Sequence, residues 1–210
     1  MSAFFYYLGA AADSALSVFG IRAPYEQPAY RVVGHLADGV EIRAYGPRVA
    51  AETPMRGGND GEAFGRLFRY ITGANQAQSH IAMTVPVEMA PQRIAMTVPV
   101  EMSGDQVMRF FLPHSVVANG PPRPTDPLVH IVTLPPQQFA VLRFSGSITD
   151  ESREAHQRAL MAAVGGAGRH AEGDPSLLTY DPPFALPFLR RNEVAVRLDD
   201  AAPAPAGAPG

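Results

Sequence analysis

The chain has 210 residues, 46% of them apolar and 18% charged, with a net charge near −3, enough for one well-buried domain with tails. All 17 basic residues are arginine, which excludes a lysine Schiff base, and their scatter gives no electrostatic footprint for nucleic acid. The absence of cysteine excludes disulfides, zinc–thiolate and iron–sulfur centres and thioether-linked haem.

Residues 3–19 read as an apolar helix whose polar seam is narrow: Ser2, Tyr6, Gly9, Asp13 and Ser17. No basic n-region precedes it, as a signal peptide requires. Asp13 falls mid-span, and the first basic residue is Arg22, which argues against both a transmembrane span and a basic surface anchor. Packing on the body or a partner subunit, membrane association, and a processed leader all remain open for residues 1–24. At the other end, residues 200–210 are an Ala/Pro/Gly tail that cannot build a core and is expected to be disordered.

Strand-like alternation begins after Pro28. Val40, Ile42 and Ala44 face one way and Glu41, Arg43 and Tyr45 the other; Gly46-Pro47 marks a turn, and Arg48–Met55 returns as a strand. Asn59 or Asp60 can cap a helix with the apolar stripe Phe64, Leu67, Phe68 and Ile71, ended by Gly73. Arg66, Arg69 and Tyr70 flank that stripe. Such a face admits two readings: it packs on a sheet with solvated arginines outside, or it holds a flat apolar ligand whose acids the guanidinium groups receive.

Residues 81–89, Ile-Ala-Met-Thr-Val-Pro-Val-Glu-Met, recur unchanged at 94–102. The period is two, as in half-buried strands, and Ala90–Arg93 suits a hairpin loop that would place Met89 opposite Ile94. Pro86 and Pro99 each remove a ladder donor and imply edges, bulges or bends. A strand at Val107–Leu112 and a proline-rich connection at 119–127 complete the first half. The second half repeats the order: strands at Leu128–Leu134 and Phe139–Phe144, a helix capped by Thr149 or Asp150 and running to about Val164, then strands near Leu177–Tyr180 and Glu193–Leu198. The expected fold is α+β, a mostly antiparallel sheet of about eight strands with two helices and pseudo-twofold symmetry.

Catalytic motifs are lacking: there is no Gly-x-Ser-x-Gly elbow, phosphate loop or His-Glu-x-x-His. His35, His80, His114, His130, His156 and His170 show no ligand spacing; His80, before the first repeat, and His130, in an apolar strand, are the least ordinary. Met83, Met89, Met96 and Met102 offer thioether sulfur in principle, but methionine at alternating apolar positions is ordinary core filler.

The chain resembles the SOUL haem-binding protein family. Glu41-Ile-Arg-Ala-Tyr-Gly-Pro47 is similar to its early strand motif, and Glu62–Ile71 to its first helix. The doubled Ile-Ala-Met-Thr-Val-Pro-Val resembles its bacterial members, and Phe110–Pro113, Tyr180–Pro183 and Arg190–Glu193 match later segments in order. Residues 25–199 are thus expected to form a SOUL-like domain. The resemblance implies a distorted antiparallel barrel with two helices that binds haem or another tetrapyrrole non-covalently in an apolar cleft beside the first helix. Carried onto this chain, that cleft takes Phe64, Arg66, Leu67, Phe68, Arg69, Tyr70 and Ile71. A basic residue found in some members after Tyr-Asp-Pro-Pro is missing from Phe184–Phe188. Ala44 stands where some members carry a histidine proposed as iron ligand, so the metal ligand is unassigned. The reading is a cytoplasmic, non-enzymatic carrier or buffer with a porphyrin-type partner and no nucleic acid, a membrane or subunit contact through residues 3–19 being left open. Its alternatives are a promiscuous apolar-ligand sensor or interaction module and a tetrapyrrole-modifying enzyme.

Overall fold

The computed structural model describes residues 26–55, 60–76, 93–103, 106–181 and 185–199. The expected N-terminal helix, the first copy of the repeat and the tail lie outside these residues. So does the hairpin between the two copies.

The described strands are β1 (Tyr30–His35), β2 (Glu41–Tyr45), β3 (Arg48–Pro54), β4 (Asn75–Gln76), β5 (Val100–Met102), β6 (Val107–Phe111), β7 (Arg123–Pro124), β8 (His130–Leu134), β9 (Gln137–Phe144), β10 (Ala171–Thr179) and β11 (Asn192–Leu198). Helices are α1 (Asp60–Thr72), α2 (His114–Ala118) and α3 (Asp150–Gly166). Among the described residues nine strands form one curled antiparallel sheet, a half-barrel in the order β1-β2-β9-β11-β10-β5-β6-β3-β8, while β4 and β7 pair separately. The α+β expectation holds, with one strand more in the sheet than expected and the short α2 in addition.

The expected symmetry is written in the strand order. Exchanging β2 with β8, β3 with β9, β5 with β10 and β6 with β11 reverses the order of those eight strands, so a twofold axis runs between β5 and β10. Each half lends its first strand to the other: β2 pairs with β9, and β8 with β3.

Both long helices cover the same face of the sheet. Thr149 caps α3 by accepting from the Ser152 N–H at 3.1 Å, which satisfies one of the first-turn donors. Leu160, Ala163 and Val164 then pack on Val40, Ile42, Ala140, Leu142, Val194 and Val196. The α1 helix packs Ala63, Leu67, Tyr70 and Ile71 on Ala51, Val100, Met108 and Phe110. Met102, opposite Leu177, touches both clusters and closes the seam between the halves.

The second copy of the repeat departs from its simple reading. Only Val100–Met102 is strand, and Thr97, Pro99 and Glu101 are buried alongside Ile94, Val98 and Val100. The segment is enclosed on both faces, so period two no longer sorts inside from outside. Its donors also leave the ladder: Ile94 N–H reaches the Ile71 carbonyl at 2.8 Å, Val98 N–H the Glu26 carbonyl at 3.1 Å, and the Thr97 hydroxyl the Phe111 carbonyl. Met96 and Met102 pack against the α1 cluster as core filler.

The inner face of the curl is where polar residues collect. Glu193 is fully buried and accepts from Arg43 at 2.8 and 3.1 Å, from the Tyr180 hydroxyl at 2.7 Å and from Arg191 Nε at 2.9 Å. Burial pushes the Glu193 carboxyl up, but donation from Arg43 and the charges of Arg43 and Arg191 outweigh it and hold it below the ordinary carboxylate range. Burial, and then the charge of Glu193, push the Tyr180 phenol up, keeping it a donor. Across the axis the signs reverse. Glu101 faces Leu178 across it; Arg109 faces Glu101, and Glu193 faces Leu178. Arg109 is therefore the symmetry mate of Glu193, and it gathers Glu52 at 2.6 Å and Glu101 at 3.3 Å.

Replacing Glu193 with alanine takes the acceptor from the Tyr180 phenol and Arg191 Nε and leaves Arg43 to Glu41 alone, and should cost about 3–5 kcal/mol in urea denaturation. Because the folded carboxyl titrates below its unfolded value, its contribution is present above the ordinary carboxylate range and lost as pH falls through the depressed one. Acid unfolding of the unaltered chain should therefore be steeper than that of the Glu193→Ala variant; equal acid profiles would contradict this.

Candidate functional site

The α1 helix forms because an i, i+3, i+4, i+7, i+8 set of Ala63, Arg66, Leu67, Tyr70 and Ile71 faces the sheet. The expected stripe is therefore rotated toward Arg66 and Tyr70. Those two polar side chains turn inward because acceptors await them. Arg66 donates to Thr53 Oγ1 at 2.9 Å, the Pro54 carbonyl at 2.7 Å and Glu62 at 2.5 Å. The Tyr70 hydroxyl donates to the Pro122 carbonyl at 3.0 Å, and burial pushes its phenol up. Leu67 and Ile71 belong to the core.

That rotation leaves Phe64 and Phe68 at the rim, 38% and 45% exposed. Their rings stack with centroids 6.0 Å apart and 13° between planes, and Phe64 also meets Phe110 edge-on at 5.2 Å. Arg69 lies on the same helix, 62% exposed, with Asp126 4.0 Å away. The seven residues anticipated on α1 thus separate: Phe64, Phe68 and Arg69 are open to a ligand, whereas Arg66, Leu67, Tyr70 and Ile71 are turned into the protein. A stacked aromatic pair beside an exposed guanidinium fits a flat apolar group carrying carboxylates.

Ala44 lies on β2, between β1 and β9 in the α3 half of the sheet, while α1 packs on β3 and β6. Alanine offers no donor atom to a metal there. His80 lies outside the described residues, His130 is exposed on β8 opposite Glu52, and His156 stacks on Phe144 at 3.9 Å. Among the described residues no group of three His, Asp or Glu side chains could hold a metal ion, and no helix is long and apolar enough to cross a membrane.

Sequence reasoning treated the motif at 41–47 as strand alone and missed the inner-face cleft that it helps to build. Tyr30, Tyr45, Arg48, Phe111, Phe139 and Tyr180 line a narrow, tightly packed cleft. The available signal was charge beside apolar residues: Arg43 stands between Ile42 and Ala44, and Glu193 opens the run Val194–Val196, with opposite signs.

The sequence profile of the SOUL heme-binding protein family matches residues 25–197. The chain belongs to this family. Heme-binding protein 1 of Xenopus tropicalis is 29% identical over 133 residues, 63% of this chain and 67% of that protein. Solved structures resemble it more remotely. The EcmrR C-terminal domain aligns at a TM-score of 0.43 and 10% identity, over 81% of this chain and 98% of that one. A hydrolase from Listeria innocua gives 0.46 and 9%, over 76% and 91%. Neither likeness is near enough to bear on function.

Arg66, with every side of its guanidinium engaged, should behave as a structural residue. Arg66→Ala should lower stability by about 2–3 kcal/mol in chemical denaturation and leave ligand affinity of the folded protein unchanged. Loss of affinity without loss of stability would return Arg66 to the site.

Proposed function

We propose that this SOUL-family chain is a non-enzymatic carrier or buffer for haem or a related tetrapyrrole. The macrocycle lies non-covalently on the rim of α1, over Phe64 and Phe68, with Arg69 receiving a propionate. The observation that carries this reading is the stacked, half-exposed phenylalanine pair beside an exposed arginine. Burial of their remaining area supplies the affinity, and the guanidinium supplies orientation more than strength, since exposed ion pairs contribute little. With alanine at position 44, iron coordination through that position is ruled out on chemical grounds. Bound haem would supply redox-active iron; this chain's residues act on the macrocycle and its acids.

Haemin and iron-free protoporphyrin titrated in parallel, followed by absorbance, test the proposal. Both should bind one to one with similar affinity. Phe68→Ala should weaken both by roughly 5- to 30-fold, the equivalent of about 1–2 kcal/mol. Arg69→Glu should weaken them by a few fold at low salt and less at high salt. Absence of saturable binding by either would overturn the reading and favour an apolar-ligand sensor or interaction module. A sharpened, shifted Soret band for haemin alone would instead mean that a side chain outside this rim coordinates iron.

A further inference from the structure

Residues 94–102 fill a slot in the middle of the sheet, and the slot is particular about what it takes. The Ile94 N–H donates to the Ile71 carbonyl at 2.8 Å, the Thr97 hydroxyl to the Phe111 carbonyl, and the Val98 N–H to the Glu26 carbonyl at 3.1 Å. Val100, Glu101 and Met102 then pair on both sides, with β6 and with β10. Glu101 also accepts from Arg109 Nη1 at 3.3 Å. Ile94, Thr97, Val98, Pro99, Val100 and Glu101 are buried. A change of residue type at any of them leaves a cavity or an unmet polar group.

The chain carries another segment that meets every one of these demands. Residues 81–89 supply the same nine side chains in the same order, with Ile81, Thr84, Val85 and Glu88 standing for Ile94, Thr97, Val98 and Glu101. A strand slip is ordinarily costly because it turns buried side chains outward. A slip of thirteen residues here changes no side chain in the slot. Contacts within the slot therefore cannot choose between the copies, and only the connections can. With the second copy in place, 22 residues separate Ile71 from Ile94 and four separate Met102 from Val107. With the first in place, nine separate Ile71 from Ile81 and 17 separate Met89 from Val107. Closure entropy follows the logarithm of loop length, so this source favours the second copy by only about two-fold in population.

The shorter connection is long enough. Asn75 Nδ2 donates to the Tyr70 carbonyl at 2.6 Å, which brings the chain back beside the end of α1. From Gln76, residues 77–80 span up to roughly 17 Å, enough to return to Ile71 while β4 stays on β7. At the other end the four-residue turn gains two backbone hydrogen bonds, Gln106 to Ser103 and Ser103 to Val107, but holds Gln106 at φ 57°. That left-handed conformation is unfavourable for a residue with a Cβ and offsets part of the gain.

We propose that this fold has two threadings, thirteen residues apart, in which either copy of the repeat occupies the slot between β6 and β10. Exchange withdraws a strand from the middle of the sheet, so each form is long-lived once made.

The test compares full-length Val87→Asp, Val100→Asp and the double variant by urea denaturation. Each single variant should fold through the intact copy, losing less than about ten-fold in its folding equilibrium constant. The double variant should lose more than about a hundred-fold, as a buried unpaired charge requires. Unfolding of Val100→Asp with Val87→Asp unaffected would make the second copy the sole occupant and overturn the proposal. The reverse pattern, or a large loss in both single variants, would overturn it equally. Deleting residues 81–93 leaves one copy, nine residues after Ile71 and four before Val107; that chain should be at least as stable as the full one. Failure to fold would show that the short connection does not reach and would also sink the idea. Thr97→Cys, the only thiol in an otherwise cysteine-free chain, should react with a thiol reagent in two phases, one protected and one open. A single protected phase would mean one threading alone.

Discussion

A carboxylate with no access to water is untenable alone, and Glu193 is such a group. Arg43 from β2, Arg191 from the approach to β11 and Tyr180 from the end of β10 converge on it. Those contacts tie three chain segments together and set a polar hub on the inner face, beside the small apolar cluster of Val98, Val141, Leu178, Tyr180 and Ala195. The outer face carries the two larger apolar clusters, which both long helices cover. The equivalent hub in the other half is an arginine holding two glutamates, so the two halves share a plan but carry opposite charge at its centre.

This division of faces separates two kinds of environment. The outer rim of α1 offers area: two stacked rings, half exposed, and an exposed arginine on the surface. The inner cleft offers enclosure, with rings packed around Arg48. The same sheet can host both because the polar hubs and the helix-covered core do not compete for side chains.

Much of the architecture was legible in the chain. Thr149 before an acidic turn announces α3, Gly73 closes α1, and the alternation at 40–45 and the run at 139–144 give strands; the repeated order of elements gives the twofold plan. Side-chain fate was less legible, for a definite reason. Period two marks one face as buried and the other as wet, but a curled sheet encloses both. Arg43, Glu101 and Glu193 therefore read as outward residues while lying inside. On α1 the error ran the other way. Phe64 and Phe68 were counted with the packed stripe, whereas Arg66 and Tyr70 displace them to the rim because Thr53, Pro54 and Pro122 offer acceptors that no local pattern reveals. The family membership and the doubled motif came from resemblance, which local physics does not replace.

The last described strand is a central strand of the sheet. β11 lies between β9 and β10, and its Glu193 is 150 residues from the Arg43 that it holds. During synthesis, every earlier element emerges before the acid that neutralises the inner face exists. Arg43 and Arg191 must wait solvated, and β9 and β10 keep open edges toward each other. Closing the sheet thus needs the chain from β2 through β11, a non-local kind of assembly. For this fold, the carboxyl-terminal segment up to Leu198 acts as a completeness check: a chain shortened within it lacks both the middle of its sheet and the charge that makes the interior tolerable.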